Sequence, residues 1–203
     1  IIDIEASSLG VKSFPIEIAL INHSGETYNT LIRPEKKWTD WSTKSEKIHG
    51  ISRQKLFDEG QSVKRVCEAV NDLANQEHYF SDYWVCDNRW LTSIFNAANK
   101  HSNLHCLPYE YFMPDEQLQH WQQLKDDSAR SLNIQPHRAL NDVQIIQHAL
   151  DTLAASGKIE QPQIIAETAV TSNWHHYVSD DYKGTATHPR SHSMRPIINQ
   201  SGE

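Results

Sequence analysis

Ile1-Ile2-Asp3-Ile4-Glu5-Ala6-Ser7-Ser8-Leu9 opens the chain, and Pro15-Ile16-Glu17-Ile18-Ala19-Leu20-Ile21 follows after a short polar interval. Ile1 to Ile4 reads as a buried strand and Pro15 to Ile21 as a second. Asn22-His23-Ser24-Gly25 then supplies a turn into a third strand at Thr27 to Ile32. A strand meander at the start therefore sets the frame into which later elements must fit.

Beyond the meander the apolar period changes. Ser62 precedes Val63, Val66, Cys67, Val70 and Leu73, whose helical spacing predicts a helix running to about Asn75. Tyr83 to Cys86 is a short apolar run that predicts a strand, with Asp87-Asn88 capping a helix through Trp90, Leu91, Ile94 and Phe95. Residues 115–132 are expected to be helical with a break near Asp126-Asp127. Leu140, Val143, Ile146, Leu150 and Leu153 mark a helix from about Ala139 to Ala155. Strands followed by alternating helices and strands imply an α/β layered domain with a mixed sheet. After Ser156-Gly157 short apolar pieces are diluted by Ser, Thr, His, Pro and Asn. The expected organisation is thus a domain over 1–156 and a C-terminal extension over 157–203, partly ordered or disordered.

The 203 residues and 23.4 kDa suit one domain with such an extension. At 38% hydrophobic and 22% charged the chain is polar but able to bury a core. No stretch approaches the roughly 20 apolar residues of a membrane span, and the start lacks the basic region of a signal peptide, so no membrane association and a cytoplasmic location are expected. Cys67, Cys86 and Cys106 have no CxxC spacing and read as reduced thiols. Neither GxGxxG nor GxxxxGK[ST] occurs, which argues against the usual dinucleotide enzymes and P-loop kinases.

The net charge of −7 is the wrong sign for coating nucleic acid, but its distribution is uneven. Residues 33–65 hold nine Lys or Arg against five Asp or Glu, together with Trp38, Trp41 and His49. Cations interleaved with aromatic rings are what a stacked, neutralised strand requires, and Trp38 and Trp41 are the stacking candidates. Trp84, Trp90 and Trp121 are expected to pack in or against the core.

Two features of the sequence make little sense for folding alone. Asp3-Ile4-Glu5 lies in an apolar strand, whose two-residue period sends both carboxylates to one face about 6–7 Å apart. Like charges at a sheet face repel and their burial is penalised, unless a hard divalent cation such as Mg²⁺ or Mn²⁺ takes them as oxygen ligands. His137-Arg138-Ala139-Leu140-Asn141-Asp142 stands where the last helix begins. His137 and Asp142 would lie some 140° apart on an ideal helix, so they converge only if His137 occupies the loop that Pro136 signals. Asp87, at a strand-to-helix junction, serves either as an N-cap or as a third acid of the same crevice.

Together these residues resemble the DEDDh branch of the DnaQ-like 3′–5′ exonucleases, which have a ribonuclease H-like fold. The first family motif, DxE followed by small residues and Leu, is matched by Asp3-Ile4-Glu5-Ala6-Ser7-Ser8-Leu9; the third, HxALxD, by His137 to Asp142. His49-Gly50-Ile51-Ser52 resembles the family's intervening HGI element. The second motif departs from the family pattern: Ser81-Asp82-Tyr83-Trp84-Val85-Cys86-Asp87 stands in its place. Asp87 is chosen because Asp87 to Leu91 resembles the DxxxL continuation, and Asp82 stays open as the alternative.

The resemblance implies a three-layer α/β domain with a mixed central sheet. It further implies that Asp3, Glu5, Asp87 and Asp142 bind two Mg²⁺ or Mn²⁺ ions and that His137 deprotonates the attacking water. The substrate would be a 3′ end of single-stranded DNA or RNA, with Leu9 wedged against the terminal base, the backbone near Ala6 and Ser7 on the last nucleotide, and His49 lining the pocket. A homodimer and a monomer are both left open, as is the nature of the sugar. Two other readings compete: a catalytically inactive end-binding module on the same fold, and a zinc protein using His101, His105 and Cys106, since His101 and His105 have i,i+4 spacing.

Overall fold

The computed structural model describes residues 1–74 and 78–159. The end of the first expected helix at Asn75 and the extension from position 160 on, with Trp174, His175, His176, His188 and His192, lie outside the described residues.

The meander forms as the sequence implies. β1 (Ile2–Ala6), β2 (Pro15–Ile21) and β3 (Thr27–Leu31) are antiparallel in the order β1-β2-β3. Asn22 builds the turn by accepting the backbone N–H groups of Ser24 and Glu26 on its side chain. β2 is the central strand and is buried at every position, so its run of Ile, Ala and Leu has apolar neighbours on both faces.

Layers follow from those two faces. Ile2, Ile4, Ile18 and Leu20 pack against α3 (Val63–Ala74) and α4 (Trp84–Ala98) through Val66, Val70, Trp90, Leu91 and Ile94. On the opposite face Ala19 and Ile21 meet Ala139 and Val143 of a long helix, Ala139–Ala155, labelled α7 below. Two short helices precede α3: α1 (Thr43–His49) and α2 (Arg53–Glu59), N-capped by Ser42 and Ser52. The sequence reading did not anticipate either, since each is only seven residues and carries no full apolar period. Gly50 ends α1 at φ 68°, a left-handed position that glycine adopts without penalty.

A parallel pair, β4 (His78–Ser81) with β5 (His105–Pro108), lies beside β1. Antiparallel and parallel pairing thus coexist, as a mixed arrangement requires, in two separately hydrogen-bonded ladders. The last α/β crossover is followed by a 3-10 turn at Tyr109–Tyr111, α5 (Asp115–Gln119) and α6 (Trp121–Leu132), the last packing along α7.

Two expectations need correction. The strand placed at Tyr83–Cys86 is instead the start of α4, and β4 occupies His78–Ser81. Tyr83 and Val85 are exposed, so the apolar run is not a buried strand; Asp87 is therefore inside the first turn of α4 and not its cap. The helical break lies at His120, not at Asp126-Asp127. Gln122 and Gln123 donate to Asp126 and Asp127 four residues on, which carries the helix through both acids. No helix among the described residues is long and apolar enough to cross a membrane.

Candidate active site

β1 buries Ile2, Ile4 and Ala6 and turns Asp3 and Glu5, half-buried, to its other face. The register sets Asp3 opposite Ala19 and Glu5 opposite Glu17, the face of β2 on which α7 begins. Asp142 sits in the first turn of α7, where a carboxylate complements the helix dipole. His137 lies in the preceding loop at φ 70° and donates its backbone N–H to Asp142 Oδ2 at 2.8 Å. One ligand atom each from Glu5, His137 and Asp142 lies within 4.8 Å of the others, so the loop position does bring the two ends of the third motif together.

Asp87 is 1% exposed. Its carboxylate accepts the Ser81 hydroxyl and the backbone N–H of Ile4, which ties α4 to β1 between the two first-motif acids. Of the charges that perturb Asp3, that of Asp87 is the largest, followed by Asp142, Glu5 and Asp82.

Burial is the principal influence on each acid, and repulsion adds to it. It pushes Asp3 and Asp87 well above the usual carboxylate range. Glu5 rises to about 8, with Asp142 and Glu17 adding to burial and Arg138 opposing. Asp142 rises to about 6, held back by the His137 N–H. Such a cluster retains protons near neutrality unless positive charge is supplied. Its donors are carboxylate oxygens with one imidazole beside them, a set suited to hard divalent cations.

Asp82 belongs to the same electrostatic neighbourhood but has its own counter-ion. Lys125 of α6 reaches across to its carboxylate, and both charges are felt at Asp142.

The residues placed around the nucleotide divide in two. Leu9 is 63% exposed on the β1–β2 loop and free to meet a ligand. Ala6 is buried at the end of β1, and Ser7 is fully buried with every polar group engaged. Ser7 N–H goes to the Phe14 carbonyl, its carbonyl accepts from Ser42, and its hydroxyl accepts the Phe14 N–H. A nucleotide contact at Ser7 would have to displace these bonds. His49 is 4% exposed; Nδ1 accepts the Ile51 N–H at 3.0 Å, while Nε2 is buried without a partner. Burial lowers its pKa and favours the neutral ring, so Nε2 carries the proton and presents an unsatisfied donor. Glu17, Arg138 and His137 all act on that ring, which places it at the margin of the same site.

Trp38 and Trp41, the stacking candidates, are half-buried: both rings pack on Phe14, with centroids at 5.5 and 6.3 Å, where the loop folds them over the end of the meander. The zinc reading also fails on placement. His101 lies in a loop and His105 begins β5, so their spacing is not that of one helical face, and Cys106 is buried. Among the described residues the one grouping suited to a metal is Glu5, His137 and Asp142.

Three residues at this site escaped the sequence reading: Glu17, Arg138 and Lys125. The signal for Glu17 was a lone carboxylate in the apolar run of β2, the same anomaly that drew attention to Asp3 and Glu5.

Residues 1–150 match the RNase T family model, described as an exonuclease. The chain belongs to this DnaQ-like exonuclease family. Its ribonuclease H-like fold is shared with a solved "full-length 3'-exonuclease", at a TM-score of 0.50 and 18% identity over 77% of this chain and 81% of that one. A search of the curated proteins gave no match. Membership of a nuclease family makes nucleic acid the substrate.

Proposed function

We propose that the chain is a divalent-cation-dependent 3′–5′ exonuclease of the DEDDh type, acting on single-stranded or short DNA or RNA. The observation that carries this reading is the convergence of Glu5, His137 and Asp142, with Asp3 and Asp87 adjoining, from segments about 140 residues apart in sequence. Asp3, Glu5, Asp87 and Asp142 would hold two Mg²⁺ or Mn²⁺ ions. Ions so bound supply Lewis-acid activation of water and neutralise charge developing on the phosphate.

His137, exposed on its loop, takes the proton of the attacking water. Water oxygen bonds to phosphorus as the bond to the 3′ oxygen breaks, leaving a 3′-hydroxyl on the shortened strand and a nucleoside 5′-monophosphate. Leu9, exposed on its loop, packs on the terminal base, the Ala6–Ser7 backbone flanks the last nucleotide, and His49 lines the pocket behind it. The acidic surroundings favour a short footprint near the end over extended binding. Residues 1–156 constitute the catalytic domain and 157–203 an extension; three free cysteines fit a reducing cytoplasmic setting.

The test is a time course on matched DNA and RNA strands labelled at either end, with and without Mg²⁺. Stepwise loss from the 3′ end with mononucleotide release, abolished in Asp3→Ala, is the expected result. Metal-independent trimming, or trimming retained in Asp3→Ala, would overturn the reading; binding of 3′ ends without release would favour the inactive module.

A further inference from the structure

Glu17 is 1% exposed at the centre of β2, and it is ionically satisfied by residues more than 120 positions away. Arg138 grips it with two parallel bonds, Nε to Oε2 at 2.9 Å and a terminal guanidinium nitrogen to Oε1 at 2.7 Å. Oε2 also accepts the backbone N–H of Ala139 at 3.1 Å, the first residue of α7. A buried ion pair is weak support for stability, because desolvation offsets most of its attraction. Its placement suggests another purpose. The two residues it holds directly follow His137, whose φ of 70° is unfavourable for a residue with a Cβ and persists only where the surroundings fix it. On the other side the His137 N–H is fixed by Asp142. His137 is thus held between two carboxylates, one from the α7 first turn and one from the central strand. The same β1–β2 register that brings Glu5 into the site brings Glu17 opposite it.

We propose that Glu17 and Arg138 are positioning residues for His137, a clamp that fixes the strained loop so that the imidazole faces the Glu5 and Asp142 carboxylates. Neither touches the reacting atoms. This rests on the assignment of His137 as the base, and two measurements separate the two claims. The bidentate geometry requires the planar guanidinium fork, so lysine at 138 keeps the charge but not the alignment.

The experiment pairs Arg138→Lys and Arg138→Met with His137→Ala in a double-mutant cycle of nucleotide release, and follows the His137 amide by hydrogen exchange. The expected result is a fall in kcat of tenfold or more in Arg138→Met with KM within twofold, a smaller fall in Arg138→Lys, and no further fall when either is combined with His137→Ala. Exchange at the His137 amide should quicken at least tenfold while β2 amides such as Ile18 stay protected. Independent, multiplying losses in the cycle, or unchanged exchange at His137, would overturn the clamp. A wild-type chain that releases no nucleotide would refute the hydrolase assignment instead, and the exchange measurement would still decide whether the clamp holds the loop. If Arg138→Met fails to fold, Arg138→Lys and Glu17→Gln carry the same comparisons.

Discussion

His137 and Asp142 are joined through the histidine backbone and not through its ring: the N–H of His137 donates to Asp142 Oδ2 at 2.8 Å. The bond closes the turn into α7 and leaves the imidazole free. It gives Asp142 two duties, one structural and one electrostatic, and substitutions can separate them. Asparagine at 142 retains an oxygen for the His137 N–H but not the charge, so Asp142→Asn should fold at least as well as wild type without metal while losing most activity. Asp142→Ala removes the acceptor too and should be less stable than Asp142→Asn by about 1 kcal/mol. Thermal melts of both variants in chelator, beside release assays, check this; equal activity in Asp142→Asn and wild type would remove Asp142 from the site.

The raised carboxylates make a statement about pH. Glu5 titrates at about 8 and Asp142 at about 6 in the folded protein, against an ordinary range near 4 when unfolded. The folded state therefore binds more protons through that window, and the stability of the metal-free protein falls as pH rises from about 4.5 to about 8. The melting temperature in chelator should decline from pH 5 to pH 8, and Glu5→Gln should flatten the slope. A rise over the same interval would show that the acids are not crowded as described.

Divalent cations should reverse that trend, since they bind the deprotonated form. At a hundredfold excess over the dissociation constant the stabilisation is about 2.7 kcal/mol, or roughly 5–10 °C for a domain of this size. The gain from Mg²⁺ or Mn²⁺ should be larger at pH 8 than at pH 5.5, and absent in Asp3→Asn. Differential scanning fluorimetry with and without each ion is sufficient, and an unresponsive melting temperature at pH 8 would contradict a metal site here.

Most of the fold was legible because the meander and α7 obey simple periods. β2 runs Pro15–Ile21 and α7 Ala139–Ala155, the bounds the apolar pattern implied. The misreading at 83–86 has a specific physical cause. The buried face of α4 is Asp87, Trp90, Leu91, Ile94 and Phe95, a helical period whose first position is filled by a carboxylate. A carboxylate at a core position breaks the apolar signal where it begins, so the helical period shows only from Trp90 on and the residues before Asp87 read as a strand. The convergence of Glu5, His137 and Asp142 could be inferred from chain order and Pro136, but the Glu17–Arg138 and Asp82–Lys125 pairs could not. Each depends on how a strand or loop lies against a distant helix, which local spacing does not encode.

The Asp82–Lys125 pair bears on which acid of the second motif acts. Asp82 is already neutralised by a lysine from α6, whereas among the described residues Asp87 has hydrogen bonds from Ser81 and Ile4 but no ion pair, and it is the strongest charge acting on Asp3. A cation brought to the site therefore gains more from Asp87. Asp87→Asn should abolish both the Mg²⁺-induced rise in melting temperature and nucleotide release. Asp82→Asn should retain the metal response and keep activity within about tenfold, a change in barrier of roughly 1.4 kcal/mol. Lys125→Met leaves Asp82 uncompensated beside four other acids and should destabilise the metal-free protein by about 1–2 kcal/mol, a value between exposed and fully buried pairs. Adding Asp82→Asn to Lys125→Met should restore that loss, since the uncompensated charge is then gone. Metal response lost in Asp82→Asn but kept in Asp87→Asn would exchange the two assignments: Lys125 would then be guarding a ligand position, and the Ser81–Asp87 bond would be a tie between β4 and α4 alone.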